Sequence, residues 1–245
     1  MSGRHRHSQR EGSAFRTSSS RCVGAVLITL CAWSWASVAA AQTFSIRGVA
    51  DGGMRTFTAS ESFKAILGSA NGPIFGGGVE AVFPQHVFVS LHATRFRKTG
   101  QRVFLFEGQQ FDLGIPTTIT VTPVEVSAGY RFERTRTVRR PGPVRPGTVR
   151  PARLIPYVGG GVGWHRYEET SKFATADENV KEQKIGFQVL GGAEYRVSRW
   201  LGVGGEAEWA RVSNALGQDP NGVSATFNET DLGGASFRAK LVIGR

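Results

Sequence analysis

The sequence predicts an all-β fold, an eight-stranded antiparallel up-and-down transmembrane β-barrel. Three observations predict it. The chain holds 32 glycines in 245 residues, roughly twice the usual ~7% share. Glycine weakens helix interiors, which argues against a helical bundle, and no three-residue glycine period points to collagen. Apolar and polar residues alternate with period two over eight segments, the signature of half-buried strands. Connections alternate between tight turns and long stretches rich in turn residues. Phe, Trp, Tyr, Val and Ile recur throughout the second half, which argues against wholesale disorder.

The first 41 residues read as a signal peptide. Arg4, Arg6, Arg10, Arg16 and Arg21 stand against one acid, Glu11. An apolar run from Val23 to Ala36 follows, then Ser37-Val-Ala-Ala-Ala41 before Gln42. A basic head, a short apolar middle and small residues at the exit form the secretory pattern, with cleavage expected after Ala41. Cys22 and Cys31 both leave with the leader, so the exported domain, 42–245, is expected to use no disulfide. Beyond this leader no run of 18 apolar residues occurs, and no helical anchor is expected.

Eight strands are expected along the chain. Over about 44–57, Phe44, Ile46, Gly48 and Ala50 oppose Ser45, Arg47 and Asp51. Over 74–83, Phe75, Gly77, Val79, Ala81 and Phe83 oppose Gly76, Gly78 and Glu80; over 86–97, Val87, Val89, Leu91 and Ala93 oppose Phe88, Ser90, His92 and Thr94. Over 118–133, Val124, Val126, Ala128, Tyr130 and Phe132 oppose Glu125, Ser127, Gly129 and Arg131. Over 155–168, Val158, Val162 and Trp164 oppose Tyr157, Gly161 and His165. Over 185–197, Ile185, Phe187, Val189 and Tyr195 oppose Gln188, Glu194 and Arg196. Over 200–212, Leu201, Val203, Ala207 and Trp209 oppose Glu206 and Glu208; over 231–243, Phe237, Leu241 and Ile243 oppose Ser236, Arg238 and Lys240. A helix would put Glu206 and Glu208 on different sides, whereas a strand puts them together.

Pro84-Gln85 and Ser198-Arg199 are the tight turns. Segments 58–73, 98–117, 169–184 and 213–230 are the expected outward loops. The exception on the tight-turn side is the Arg/Pro-rich linker, 134–154. It carries seven arginines and no acid, with Pro141, Pro143, Pro146 and Pro151. Proline lacks the backbone donor and fixes φ, so this stretch is expected to be extended and unpaired. The chain has 30 Lys and Arg against 19 Asp and Glu, a net charge of +11. The leader and this linker account for that whole excess, which removes most of the case for nucleic acid.

Alternation does not say which face is inside. Three features favour apolar side chains turned outward to lipid. The polar face mixes glycine with charges of both signs: Arg47, Asp51, Glu80, Glu125, Arg131, Glu194, Arg196, Glu206, Glu208, Arg238 and Lys240. A narrow lumen wants small residues and paired charges. Tyr130, Phe132, Trp164, Tyr195, Trp200 and Trp209 lie towards strand ends on or beside the apolar face, as interface belts do. Strands of about 10–13 residues match the ~9–11 needed to cross hydrocarbon at a tilt.

Export signal, glycine-rich alternating strands and the segment Ile155-Pro-Tyr-Val-Gly-Gly-Gly-Val-Gly-Trp164 resemble the small outer-membrane β-barrel proteins, which include the OmpA membrane domain, OmpW and the opacity-type surface proteins. The resemblance covers about 42–245 and rests on pattern more than on a unique motif. It implies a bacterial outer-membrane location, outer-membrane lipid and the barrel-assembly machinery as partners, and no cofactor. Such proteins commonly end in an aromatic residue; this chain ends Leu241-Val-Ile-Gly-Arg245, so Phe237 and Leu241 are the substitutes on offer. No periplasmic peptidoglycan-binding domain is expected after the strands.

Several groups of residues could carry chemistry. Ser90 and His92 share a face, with Glu80 on the neighbouring strand, and such a trio can act as nucleophile, base and orienter. Some outer-membrane lipid A acylhydrolases resemble this arrangement, but with His preceding Ser. His86, His92 and His165 lack metal-ligand spacing. Glu206 and Glu208 have Arg238 and Lys240 opposite, a salt-bridge explanation rather than acid–base work. Gly76-Gly-Gly and Gly159-Gly-Gly lead into no helix and are not phosphate loops. Asn228-Glu-Thr230 reads as a surface loop. The expectation is a non-enzymatic barrel with a structural or surface-interaction role and a narrow charge-filled lumen. The alternatives are an OmpW-type conduit for apolar solutes and, third, an acylhydrolase-like enzyme. Arg139, Arg140, Arg145 and Arg150 are candidates for contact with anionic headgroups or cell wall.

Overall fold

The computed structural model describes residues 44–106, 109–133, 135–138, 148–151, 153–171, 180–216 and 222–244. The leader, its cleavage site and both cysteines lie outside the described residues, as do Arg139, Arg140, Arg145 and Arg245.

Ten strands form: β1 (Ser45–Phe57), β2 (Asn71–Val82), β3 (Val87–Phe106), β4 (Gln109–Arg131), β5 (Thr135–Val138), β6 (Thr148–Pro151), β7 (Leu154–Ser171), β8 (Val180–Arg196), β9 (Leu201–Arg211) and β10 (Gly234–Gly244). Eight of them close into a barrel in the order β1-β10-β9-β8-β7-β4-β3-β2. All neighbours are antiparallel, and β1 completes the ring by pairing with β10, from Arg47 opposite Gly244 to Phe57 opposite Gly234. Closure leaves no strand edge unpaired, the condition for a sheet in lipid. Every described helix is too short to cross a membrane.

The strand cores fall where the alternation places them; the ends do not. Much of the expected loops 98–117 and 169–184 is strand. β3 runs to Phe106 and β4 begins at Gln109, while β7 reaches Ser171 and β8 starts at Val180. Here the ladder continues without the apolar-out pattern, with the outward face exposed while Val103 and Thr117 stay buried. Hydroxyl pairs replace greasy contacts: Thr99 with Thr118 at 2.9 Å and Thr117 with Ser171 at 2.8 Å. β10 begins three residues later than expected. The Asp231 carboxylate accepts from the backbone N–H of Val212 (2.8 Å) and Gly233 (2.7 Å), which holds the entry to the strand as a turn.

The Arg/Pro linker is corrected in part. It was expected to be unpaired, yet β5 and β6 form an antiparallel ladder from Thr135 opposite Pro151 to Val138 opposite Thr148. The β-branched Thr135, Thr137, Val138, Thr148 and Val149 favour extended pairing, and Pro151 occupies the ladder's end, where a missing donor costs little.

Two helices occur in the remaining expected loops, α1 (Ser60–Leu67) and the single turn α2 (Val223–Thr226). The residue preceding α1 is Ala59, which offers no side-chain cap. The cap comes from far along the chain. The Glu229 carboxylate accepts from the backbone N–H of Glu61 (3.1 Å) and Ser62 (2.8 Å) and from the Ser62 hydroxyl (2.7 Å). At the other end Gly68 takes φ of 75° and its N–H returns to Lys64 O at 2.8 Å. The exposed Lys64 ammonium donates to Glu61 at 2.7 Å, which holds that carboxyl below the usual carboxylate range. Glu229→Ala is expected to cost about 1 kcal/mol of local stability. Amide exchange should quicken across Ser60–Leu67 while the barrel strands keep their protection; unchanged exchange in α1 would refute the capping role.

α1 presents Phe63, Ile66 and Leu67 to an apolar core at one end of the barrel, with Phe57, Ile74, Phe96, Ile119, Val121, Tyr167, Val212 and Leu232. Phe57 stacks on Phe63 at 4.1 Å between centroids and meets Phe96 edge-on at 4.9 Å. Gly100 permits the approach: a Cβ there would lie 1.9 Å from Ile66 O.

Candidate functional site

The barrel interior and its two mouths are the candidate site. The inward register follows from the pleat. Odd positions of β1, β4 and β7 point inward, as do even positions of β2, β3, β8, β9 and β10. All eleven charges singled out from the sequence sit on that inner face, and most are buried. Arg196 and Lys240 are the more exposed, near the short-turn end.

Near the short turns, two arginines and two glutamates interlock. Arg47 binds Glu80 and also Glu194, the latter at 3.1 Å. Arg131 reaches the same two carboxylates, Glu80 at 3.3 Å and Glu194 at 2.9 Å. Glu133 joins the edge, accepting from Arg196 at 2.8 Å and from Arg131 at 3.4 Å. The four residues come from β1, β2, β4 and β8, so the cluster ties opposite walls of the barrel together.

A second layer lies further in. Arg238 binds Glu206 at 2.6 Å and also Glu208. Lys240 donates to Glu206 at 2.8 Å, and the Tyr157 hydroxyl donates to the same carboxylate at 3.0 Å. His92 pairs with Asp51 through Nε2, and its Nδ1 meets the Arg238 guanidinium at 3.2 Å. Glycines make room for the large side chains. A Cβ on Gly192 would lie 2.6 Å from the Tyr157 hydroxyl, so these glycines serve volume rather than turn geometry.

Above this layer lie Arg55, Glu125, His165 and Gln188, with Gln188 donating to Ser127 at 3.1 Å. The apolar core with α1 closes that end. The expected charge-filled lumen is therefore only the lower and middle part; the end beneath the long hairpins is greasy. Between the charged layers is a void of about 20 Å³ beside Glu80, His92, Glu125 and Arg238, room for about one water. Larger hollows open at the two ends, about 460 Å³ at the short-turn mouth and about 430 Å³ among the long hairpins.

Ser90, His92 and Glu80 line one small void but form no hydrogen-bonded relay among the described residues. Glu80 is held by Arg47 and Arg131, and both ring nitrogens of His92 are engaged by Asp51 and Arg238. Among the described residues no group of three or more His, Cys, Asp or Glu is placed to hold a metal ion. Arg55, Tyr157, His165 and Gln188 belong to the interior as well. Arg55 was legible as the next charge on the inward face after Arg47 and Asp51, but it lay beyond the alternating run. Glu133 lies just past the end of β4, at the limit of the strand expected over 118–133.

The outward face is an apolar band. Phe75 and Phe237 are each 67% exposed and Ile185 is 66% exposed. Tyr130, Tyr195 and Trp200 lie at the short-turn border; Trp164 and Trp209 lie towards the other. On β8 the band runs from Ile185 to Tyr195. That is roughly 33 Å of strand at ~3.3 Å per residue, or about 25 Å in height at a ~40° tilt, the height of a membrane barrel's apolar belt. A water-facing surface with this many exposed aromatic and branched side chains would aggregate. The band has the height and composition of a lipid-facing belt.

No family model matches the chain, and no curated protein matches it. Solved structures do. Neisserial surface protein A is 12% identical, covers 82% of this chain and 96% of its own, and superposes with a TM-score of 0.45. The N-terminal β-barrel domain of OprF from Pseudomonas aeruginosa is 13% identical over 82% of this chain and 97% of its own, with a TM-score of 0.42. Ail, the attachment invasion locus protein of Yersinia pestis, determined with the heparin analogue sucrose octasulfate, is 10% identical over 83% and 98%, with a TM-score of 0.43. These proteins are small eight-stranded outer-membrane β-barrels, and the likeness is one of fold.

Proposed function

We propose that the chain is an integral outer-membrane barrel with a structural or surface-interaction role and a lumen closed to solute flow. The filled interior carries this reading. Two salt-bridged layers and an apolar cap lie in series, with about 20 Å³ of free space between the charged layers. Ions crossing such a barrel would have to break buried Arg–Glu pairs and then displace a packed phenylalanine trio. The β3–β4 and β7–β8 hairpins stand beyond the apolar band and offer the surface for interaction.

One observation favours a second reading, apolar solute uptake. The hollow among the long hairpins has an apolar side formed by Val103, Phe104, Leu113, Ile115 and Leu216, facing Arg102, Glu169 and Glu182. Passage inward from there needs α1 to leave the barrel. Planar-bilayer recording separates the two readings. The sealed barrel is expected to give a flat baseline at moderate voltage. Steady openings of the wild-type protein would overturn it and favour the conduit.

A further inference from the structure

We propose that the short-turn mouth of the barrel is a binding site for the phosphate headgroup of an anionic phospholipid in the adjoining leaflet. This rests on the membrane-barrel reading above.

The hollow there measures about 460 Å³, and its polar lining includes Arg47, Arg153, Glu194, Arg196 and Arg199. The charges do not balance. Arg47 is committed to Glu80 and Glu194 inside the barrel. Arg196 shares the Glu133 carboxylate with Arg131. Arg153 has only a neutral partner, donating to the Tyr195 hydroxyl at 3.3 Å. Arg199 has no hydrogen-bond or ion-pair partner among the described residues. Two guanidiniums thus face a solvent-open hollow without a carboxylate, and a phosphodiester accepts two parallel N–H bonds from such a group.

The depth is right for a lipid. The β8–β9 turn is short, so the mouth rises little beyond the apolar band. Val197 and Trp200 flank that turn, 54% and 58% exposed. Each is a chain neighbour of a pocket arginine, Val197 of Arg196 and Trp200 of Arg199. A headgroup at the arginines leaves its acyl chains against Tyr195, Val197 and Trp200.

The test uses the folded full-length domain in a non-ionic detergent, with Trp164→Phe and Trp209→Phe so that Trp200 reports alone. Short-chain phosphatidylglycerol, short-chain phosphatidylcholine and inorganic phosphate are titrated in separate arms. The expected result is a saturable Trp200 emission change with phosphatidylglycerol. Its affinity should fall about tenfold or more in Arg153→Gln/Arg199→Gln. Equal response to phosphatidylcholine, or an unchanged affinity in the double variant, overturns the proposal. Saturation by inorganic phosphate at the same affinity would make this a soluble-phosphate site and overturn the lipid assignment. Heat-modifiable gel migration is measured on every sample. Its loss would indict the barrel reading itself, whereas its retention without phosphatidylglycerol binding would sink this proposal alone.

Discussion

Arg238→Ala is expected to destabilise the barrel by about 3–5 kcal/mol, the usual cost of removing one partner of a buried ion pair. The Arg238 side chain is 3% exposed and serves two carboxylates and one imidazole. Without it Glu206 keeps Lys240 and Tyr157, but Glu208 keeps no hydrogen-bond partner among the described residues and only the Arg55 guanidinium as a nearby opposite charge. Glu125, Glu206 and Glu208 would then surround one small void with less cationic charge among them. Urea unfolding in lipid vesicles, read by the migration shift of unboiled samples, gives the difference. Arg238→Lys should fall between, because an ammonium cannot fork across two carboxylates as a guanidinium does. Arg238→Met combined with Glu208→Gln should recover part of the loss, since no buried charge is then stranded at position 208. An Arg238→Ala protein within about 0.5 kcal/mol of wild type would show that the layer is not a structural plug.

The second large effect lies on the opposite face of the wall. Val189 is 52% exposed, in the middle of the β8 band between Ile185 and Tyr195. Val189→Arg should cost about 2–4 kcal/mol in a bilayer, the depth-dependent penalty at the midplane of an outer-membrane barrel. Gln183, on the same face and beyond the band, is the control. Gln183→Arg should change stability by less than about 0.5 kcal/mol. If the apolar face met water, Val189→Arg would be as harmless as the control. Comparing the two variants in vesicles and in mild detergent separates a lipid penalty from a general strand effect.

The parts legible from sequence share one physical cause. Within the bilayer a strand must put grease on one side and small or paired polar groups on the other. Ile185 to Arg196 and Leu201 to Trp209 therefore announce both their pairing and their inward charges, Glu194, Glu206 and Glu208 among them. Beyond the bilayer that constraint lapses. Lys98 to Phe106 and Gln109 to Pro116 remain paired strand although they resemble loop in composition. Inside the barrel's far end the rule reverses. Phe57, Ile74, Phe96 and Val121 face inward because α1 covers them, and no local pattern tells a lipid-facing phenylalanine from one beneath a helix. The capping of α1 by Glu229 spans more than 160 residues, so no short window contains it. The β5–β6 ladder was hidden by the prolines around it.

Lipid contact at Val189 can be measured directly. Cys22 and Cys31 are the chain's cysteines, and both precede Gln42, so a domain starting there accepts a single engineered thiol. A nitroxide is attached in turn to Val189→Cys and to Gln183→Cys, and collision with oxygen and with a water-soluble nickel chelate is measured in bilayers. An outward apolar band predicts that the label at 189 meets oxygen freely and the chelate hardly at all, with the reverse preference at 183. Chelate access at 189 equal to that at 183 would contradict the membrane orientation from which the sealed lumen and the headgroup site both follow.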